Sequence, residues 1–306
     1  MPHPSKDTIA WAYRLFLDRE AESETVLNST FSSTAALRET FLGSLEYRLK
    51  NPGGQLSLDK WVIKETIHGF RIWVSLGELG VSRPILNDLY ESAEVAVVKQ
   101  WIKPGDTVLD IGTNIGFYSL LFCTLVGDTG KVIGFEPLSF LCQKARLSVE
   151  ENRFSSICTI HNAAVADQNG TLSIRHAPQT TNFGGGHIAP HGAPPAHHVD
   201  ELVQVVRIDD QLPSTRVSFI KIDVEGAEPM ALAGAKHLLQ RDRPVIIAEL
   251  HNRQLSKIGG SSASQLINQL AAIGYACHAI EDRDLTQSIE SYEGDRVINV
   301  LFVPKR

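Results

Sequence analysis

Nothing in the composition marks this chain for nucleic acid, a membrane or a metal. Its 29 lysines and arginines are outnumbered by 35 aspartates and glutamates, a formal charge of −6. The basic patch that recruits a phosphate backbone is therefore not expected. No apolar run approaches the roughly 20 residues that span a bilayer, and Met1-Pro2-His3-Pro4 does not open a secretory signal. The four cysteines, Cys123, Cys142, Cys158 and Cys277, have no metal-ligand spacing, and three lie in apolar patterns. They read as buried free thiols of a reducing compartment, so a soluble, cytoplasmic protein is expected. The dinucleotide fingerprint G-x-G-x-x-G is missing too, because Asn114 stands where the second glycine is required.

What is present is a chain of 306 residues, 43% hydrophobic and 21% charged, long enough for one large or two modest cores. Near the N-terminus, Tyr13, Phe16 and Leu17 fall on one helical face, and Leu37, Phe41 and Leu45 make another. Ser32, Ser33 and Thr34 precede the second run and offer N-caps. Asn51-Pro52-Gly53-Gly54-Gln55 is a breaker cluster. It divides an N-terminal helical module (1–54) from the main domain (55–306), which a hairpin segment (55–90) leads into. From 107 onward strand and helix patterns alternate. Strands are predicted over 107–111, 131–135, 157–161, 171–176, 202–208, 217–224, 245–250, 275–280 and 297–303. Helices are predicted over 116–126, 138–152, 227–240 and 262–273. That rhythm argues for a mostly parallel sheet covered on both faces, its last strands forming an antiparallel edge. Residues 177–200, with Gly184-Gly185-Gly186, four prolines and several histidines, break it. A loop of that length is expected to be a lid or binding loop.

The stretch Val108–Ser119 carries the first chemistry. A strand ends in Asp110, and a turn with Gly112, Asn114 and Gly116 follows before a helix begins. Glycines let backbone amides approach a ligand closely. A carboxylate there suits a cation better than a phosphate. Glu136 ends the second strand about 20 residues beyond the turn, the spacing of an acid that accepts hydrogen bonds from both ribose hydroxyls. After the third strand, Asn162 and Ala163 could receive an adenine edge and face; Asn162 read alone could equally cap the strand. Lys221-Ile222-Asp223-Val224-Glu225-Gly226-Ala227-Glu228 sets three carboxylates where a strand meets a helix. Asp223 and Glu225 share one face of an extended chain, and Glu228 favours a helix start. Glu249 and His251 close the fifth strand. Glu225, Glu249 and His251 are the candidate bases.

In order and spacing, these segments resemble the FkbM-type family of S-adenosylmethionine-dependent methyltransferases. The match runs over Tyr90-Glu91, Pro104-Gly105-Asp106, Val108–Ser119, Phe135-Glu136-Pro137, Asn162-Ala163-Ala164, Ile208-Asp209-Asp210, Lys221–Glu228 with Gly234-Ala235, and Glu249. The resemblance implies an α/β class I methyltransferase (Rossmann-like) fold, with a seven-stranded, mostly parallel sheet, helices on both faces and additional N-terminal helices. It implies S-adenosylmethionine as cofactor and O-methylation of a hydroxyl on a sugar, glycan, polyketide or related metabolite. Asp110, Gly112, Asn114 and Gly116 would then surround the methionine part, Glu136 the ribose and Asn162-Ala163 the adenine. Asp223 would border cofactor and acceptor, with loop 177–200 as the acceptor lid. A divalent ion on Asp223, Glu249 and His251 is not favoured, and no metal ligand is assigned. His187, His191, His197 and His198 read as members of a flexible loop. The N-terminal segment resembles, more weakly, a small helical module appended to bacterial enzymes of glycan and surface-polymer metabolism. It could equally be a helical cap, or the contact for a homo-oligomer or partner. A non-catalytic cofactor-binding or interaction protein is the competing reading. A nicotinamide-dependent dehydrogenase is disfavoured by Asn114 and Asp110.

Overall fold

The computed structural model describes residues 3–50, 61–177, 185–189, 195 and 197–305. The chain divides into two compact units, Met1–Val62 with Ser75–Gly77, and Ile63–Val74 with Glu78–Arg306. The breaker cluster 51–55 lies outside the described residues. In the first unit, helices Lys6–Leu17, Glu24–Leu27 and Thr34–Gly43 begin on serine caps, Ser5, Ser23 and Ser33, whose side chains accept backbone N–H groups. With a fourth helix, Leu45–Lys50, they enclose a core of Ile9, Ala12, Phe16, Leu17, Leu37, Phe41 and Tyr47.

Strands β1 (Trp61–Glu65) and β2 (Arg71–Ser75) form the expected hairpin around Gly69, which takes φ +84°. The N–H groups of Arg71 and Trp73 on β2 donate to Asn152 and Ser148, so side chains of helix Ser139–Glu151 and its C-cap cover that strand edge.

The remaining strands build the main sheet and a second, smaller one. In chain order they are β3 (Thr107–Ile111), β4 (Lys131–Phe135) and β5 (Cys158–His161), then β6 (Ala164–Val165), β7 (Gly170–His176), β8 (His187–Ile188) and β9 (Val199–Val206). After these come β10 (Phe219–Ile222), β11 (Val245–Leu250), β12 (Tyr275–Glu281), β13 (Asp284–Ile289) and β14 (Ile298–Pro304). The main sheet has eight strands, ordered β13-β12-β14-β11-β10-β3-β4-β5. Its five strands from β11 to β5 are parallel, β14 inserts antiparallel to β11, and β12 and β13 continue antiparallel. β10 is buried throughout and β3 nearly so, hence their near-continuous apolar sequences.

Four sequence expectations need correction. The sheet has eight strands rather than seven, because Asp284–Ile289 pairs outside β12. Its hairpin turns on Asp282 and Arg283, both at positive φ, without the glycine that would announce it. The strands expected at 171–176 and 202–208 leave the main sheet: β7 and β9 form an antiparallel pair within a separate four-stranded sheet, β6-β9-β7-β8. Within 177–200, β8 pairs with β7, and Val199 and Asp200 belong to β9; positions 178–184, 190–194 and 196 are outside the described residues. The helix expected over 227–240 is two, Glu228–Ala233 and Lys236–Asp242. At Gly234 a Cβ would lie 2.0 Å from the Ala166 carbonyl oxygen, and Asp209 caps the second helix by accepting from His237 and Leu238 N–H.

Candidate active site

The parallel strands all present their C-terminal ends to one side of the sheet, where open α/β sheets bind ligands. A cavity of about 310 Å³ lies there, within the range of small-molecule sites. Its wall includes Gly112, Thr113 and Asn114 after β3, Glu136 and Pro137 after β4, and Ala163 and Ala164 after β5. Asp223 and Glu225 follow β10, and Glu249 comes from β11.

The glycine loop is held by backbone geometry. Gly112 takes φ +87°, and a Cβ there would lie 1.9 Å from the carbonyl oxygen of Asp223. Only glycine lets the β3 and β10 loops approach this closely. The Gly112 and Thr113 N–H groups donate to the Phe135 carbonyl, 2.9 and 3.1 Å away. Asn114, at φ +53°, donates its N–H to Glu136 Oε2 at 2.8 Å. The other Glu136 oxygen accepts the Leu138 N–H at 2.9 Å. Glu136 therefore joins the ends of β3 and β4, with further lone pairs on a carboxylate that lines the cavity. Burial pushes its pKa up to about 7 against the lowering by these two amides.

At the other end stands a cluster of charges. Lys221, on β10 beside Asp110 of β3, donates to Asp223 Oδ2 at 3.1 Å and lies 4.9 Å from the centre of the Tyr118 ring. Burial alone would lower the Lys221 pKa, but the carboxylates of Asp223, Glu91 and Asp110 outweigh it and raise it. Glu249 is pushed up to about 8 by burial and then by Asp223 and Glu225. Glu225 is pushed up to about 7 by burial and then by Asp223. Gln254 donates to Glu225, and its carbonyl oxygen pairs with His251 Nδ1 at 2.6 Å.

Seven of the sequence-predicted residues thus meet in one cavity: Gly112, Asn114, Glu136, Ala163, Asp223, Glu225 and Glu249. Four stand behind its wall. Asp110 is fully buried, one oxygen accepting from Ser119 at 2.5 Å and the other without a partner. Gly116, at φ +97°, lets the helix Phe117–Val126 pack against Ala145, whose Cα a Cβ would meet at 3.2 Å. Asn162 donates to the carbonyls of Glu136 and Pro137 and so braces the turn after β4. His251 reaches Glu225 only through Gln254. The expected extended face of Asp223 and Glu225 is also corrected. β10 ends at Ile222, and Glu225 sits at φ +55° in a turn that still aims both residues at the cavity. Glu228 folds back to accept the Val224 and Gly226 N–H groups and serves that turn.

Tyr90, Glu91, Tyr118 and Lys221 also line the cavity, and residue-type reasoning assigned none of them to it. Among the described residues, no group of three or more His, Cys, Asp or Glu is arranged to hold a metal ion. No helix among them is long and apolar enough to cross a membrane.

Residues 110–277 match the family model described as the methyltransferase FkbM domain, a span that includes the glycine loop, Glu136 and the β10 and β11 strand ends. The chain belongs to the FkbM methyltransferase family. A curated relative, the 31-O-demethyl-FK506 methyltransferase FkbM of Streptomyces tacrolimicus, is 26% identical over 178 residues, 49% of this chain and 67% of the relative. A protein-L-isoaspartate O-methyltransferase of Methanococcus aeolicus is 35% identical over 78 residues, 25% of this chain and 33% of that protein. Among solved structures, the methyltransferase FkbM from Methylobacillus flagellatus KT aligns with a TM-score of 0.44 and 14% identity, over 95% of this chain and 58% of the other. The strand order β5-β4-β3-β10-β11-β14-β12, with β14 antiparallel, is that of the class I methyltransferase fold, here extended by β13.

Proposed function

We propose that this FkbM-family methyltransferase transfers a methyl group from S-adenosylmethionine to a hydroxyl of a sugar, glycan, polyketide or related metabolite. The observation that carries the reading is the convergence of a glycine loop, a ribose-type acid and a carboxylate cluster in one cavity. The residues fit the cofactor. Gly112 leaves the loop open to close approach, Glu136 keeps lone pairs for two ribose hydroxyls, and Ala163 offers a small apolar surface for a purine. The acidic end, with Asp223 beside it, suits a cationic ligand and would repel the phosphates of a nicotinamide dinucleotide. We also assign residues 1–54 to a separate helical module and 55–306 to the methyltransferase domain.

When bound, the cofactor supplies an activated methyl carbon, so much of the chain's contribution is alignment. Asp223, fixed by Lys221, borders cofactor and acceptor. Glu249 is the base we favour for the acceptor hydroxyl, because a carboxylate with a pKa near 8 is matched to proton transfer at neutral pH. Glu225 shares that acidic field, and His251 positions it through Gln254. The Glu249 carboxylate would take the hydroxyl proton as the methyl group passes to the acceptor oxygen, the sulfur–methyl bond breaking to leave S-adenosylhomocysteine.

Thermal unfolding tests the cofactor. S-adenosylhomocysteine at 100 times its dissociation constant should stabilise the fold by about 2.7 kcal/mol, and NAD or NADP should leave Tm unchanged. The reverse pattern would overturn the reading.

A further inference from the structure

Glu91 is the cavity residue whose placement the glycine loop and the strand ends do not explain. An acid before a helix ordinarily caps it, and Glu91 is the N-cap of the helix Ser92–Trp101, yet its side chain makes no capping hydrogen bond. Its backbone takes φ +42°, a conformation uncommon for glutamate and typical of sites where function holds the chain under strain. That conformation accompanies a carboxylate facing the cavity. The Tyr118 hydroxyl donates to Glu91 Oε2 at 2.6 Å.

Tyr118 belongs to the first turn of the helix that leaves the glycine loop, so Glu91 is held directly beside that loop. Asp110, expected from sequence to face the amino-acid end of the cofactor, is behind the wall and bonded to Ser119. Asp223 is paired with Lys221 and interacts electrostatically with Glu249. Glu91 is then the carboxylate at the loop whose orientation is fixed by the Tyr118 hydroxyl, within the field of the Lys221 ammonium. The helix Phe117–Val126 starts at Gly116 without a side-chain cap, and the buried Asp110 carboxylate already accepts from Ser119 in its first turn. A fixed carboxylate that faces the cavity beside the glycine loop matches the ammonium end of a free amino acid.

We infer that Glu91 binds the α-ammonium group of S-adenosylmethionine, with Tyr118 holding its carboxylate in place. This rests on the reading of the cavity as the S-adenosylmethionine site.

Two ligands that differ in that end separate the possibilities: S-adenosylhomocysteine, which carries the amino acid, and 5′-methylthioadenosine, which lacks it. Glu91→Gln should weaken S-adenosylhomocysteine roughly 10- to 100-fold, the effect of losing one charge-assisted hydrogen bond, and leave 5′-methylthioadenosine within about twofold, an allowance well below the tenfold that 1.4 kcal/mol represents. Tyr118→Phe, which removes only the hydroxyl that holds Glu91, should show the same selectivity with a smaller loss. Equal losses for both ligands, or none for either, in both variants would overturn the assignment. If the wild-type protein bound neither ligand, the cofactor reading itself would fall, and the role of Glu91 with it.

Discussion

Replacing Gly112 with alanine perturbs the site at its tightest backbone contact. The residue takes φ +87°, and the new Cβ would lie 1.9 Å from the Asp223 carbonyl oxygen and 2.9 Å from its carbon. A non-glycine residue in the left-handed region costs about 1–2 kcal/mol. Separating two packed backbones costs about 1–3 kcal/mol more. The expected destabilisation is about 2–5 kcal/mol, a large share of the ~5–15 kcal/mol that holds a typical domain together. Gly69→Ala is the control, since it takes φ +84° with nothing within 4 Å of a Cβ. It should show only the conformational cost, about 1–2 kcal/mol. Denaturant midpoints at constant m give the stabilities, and calorimetry gives the affinity for S-adenosylhomocysteine. Gly112→Ala should be the more destabilised variant and should lose cofactor affinity roughly 10-fold or more, because the loop and the β10 strand end must part. If it were as mild as Gly69→Ala in both measurements, close backbone approach would not be what shapes the site.

Three further outcomes are expected. Glu249→Gln should lower kcat by roughly 100- to 10,000-fold, the usual worth of a positioned base, while S-adenosylhomocysteine affinity stays within a few-fold; equal loss in both would remove Glu249 from the chemistry. The wild-type rate should rise with pH through about 7–8 as Glu225 and Glu249 ionise, and His251→Ala should change its magnitude more than that limb; a rate falling over this range would exclude a carboxylate base. Stability should run the other way. Glu228, 2% exposed, has its pKa raised from 4.5 to about 7. The folded state therefore keeps a proton that the unfolded chain has released, and stability falls between those values and levels off above them. Glu228→Gln retains the acceptor oxygen for Val224 and Gly226 and should remove about 3 kcal/mol of that decline; an unchanged slope would assign it to other groups.

Much of the site was legible because its parts are local. Gly112, Asn114 and Glu136 announce themselves by residue type at a strand end, and strands β3, β4 and β10 by short, largely apolar segments. What was hidden depends on packing between distant segments. Asp110 and Asn162 have the right chemistry, but their side chains face Ser119 and the Glu136–Pro137 backbone. Tyr90 and Glu91 precede a helix and look like an ordinary helix start. Only the Tyr118 hydroxyl, 27 residues further on, turns Glu91 toward the cavity. Likewise β13 is half polar and its turn lacks glycine, so its pairing with β12 is a tertiary fact. β7 and β9 alternate like sheet-edge strands, and nothing in their pattern says which sheet they join.

The most direct measurement is a calorimetric titration of S-adenosylhomocysteine into the wild-type chain and into Glu136→Ala. The account predicts one site in the wild-type protein. In the variant, the affinity should be roughly 10- to 100-fold weaker, because a charged acceptor for the ribose hydroxyls is lost. No binding to the wild type, or equal affinity in both proteins, would contradict it.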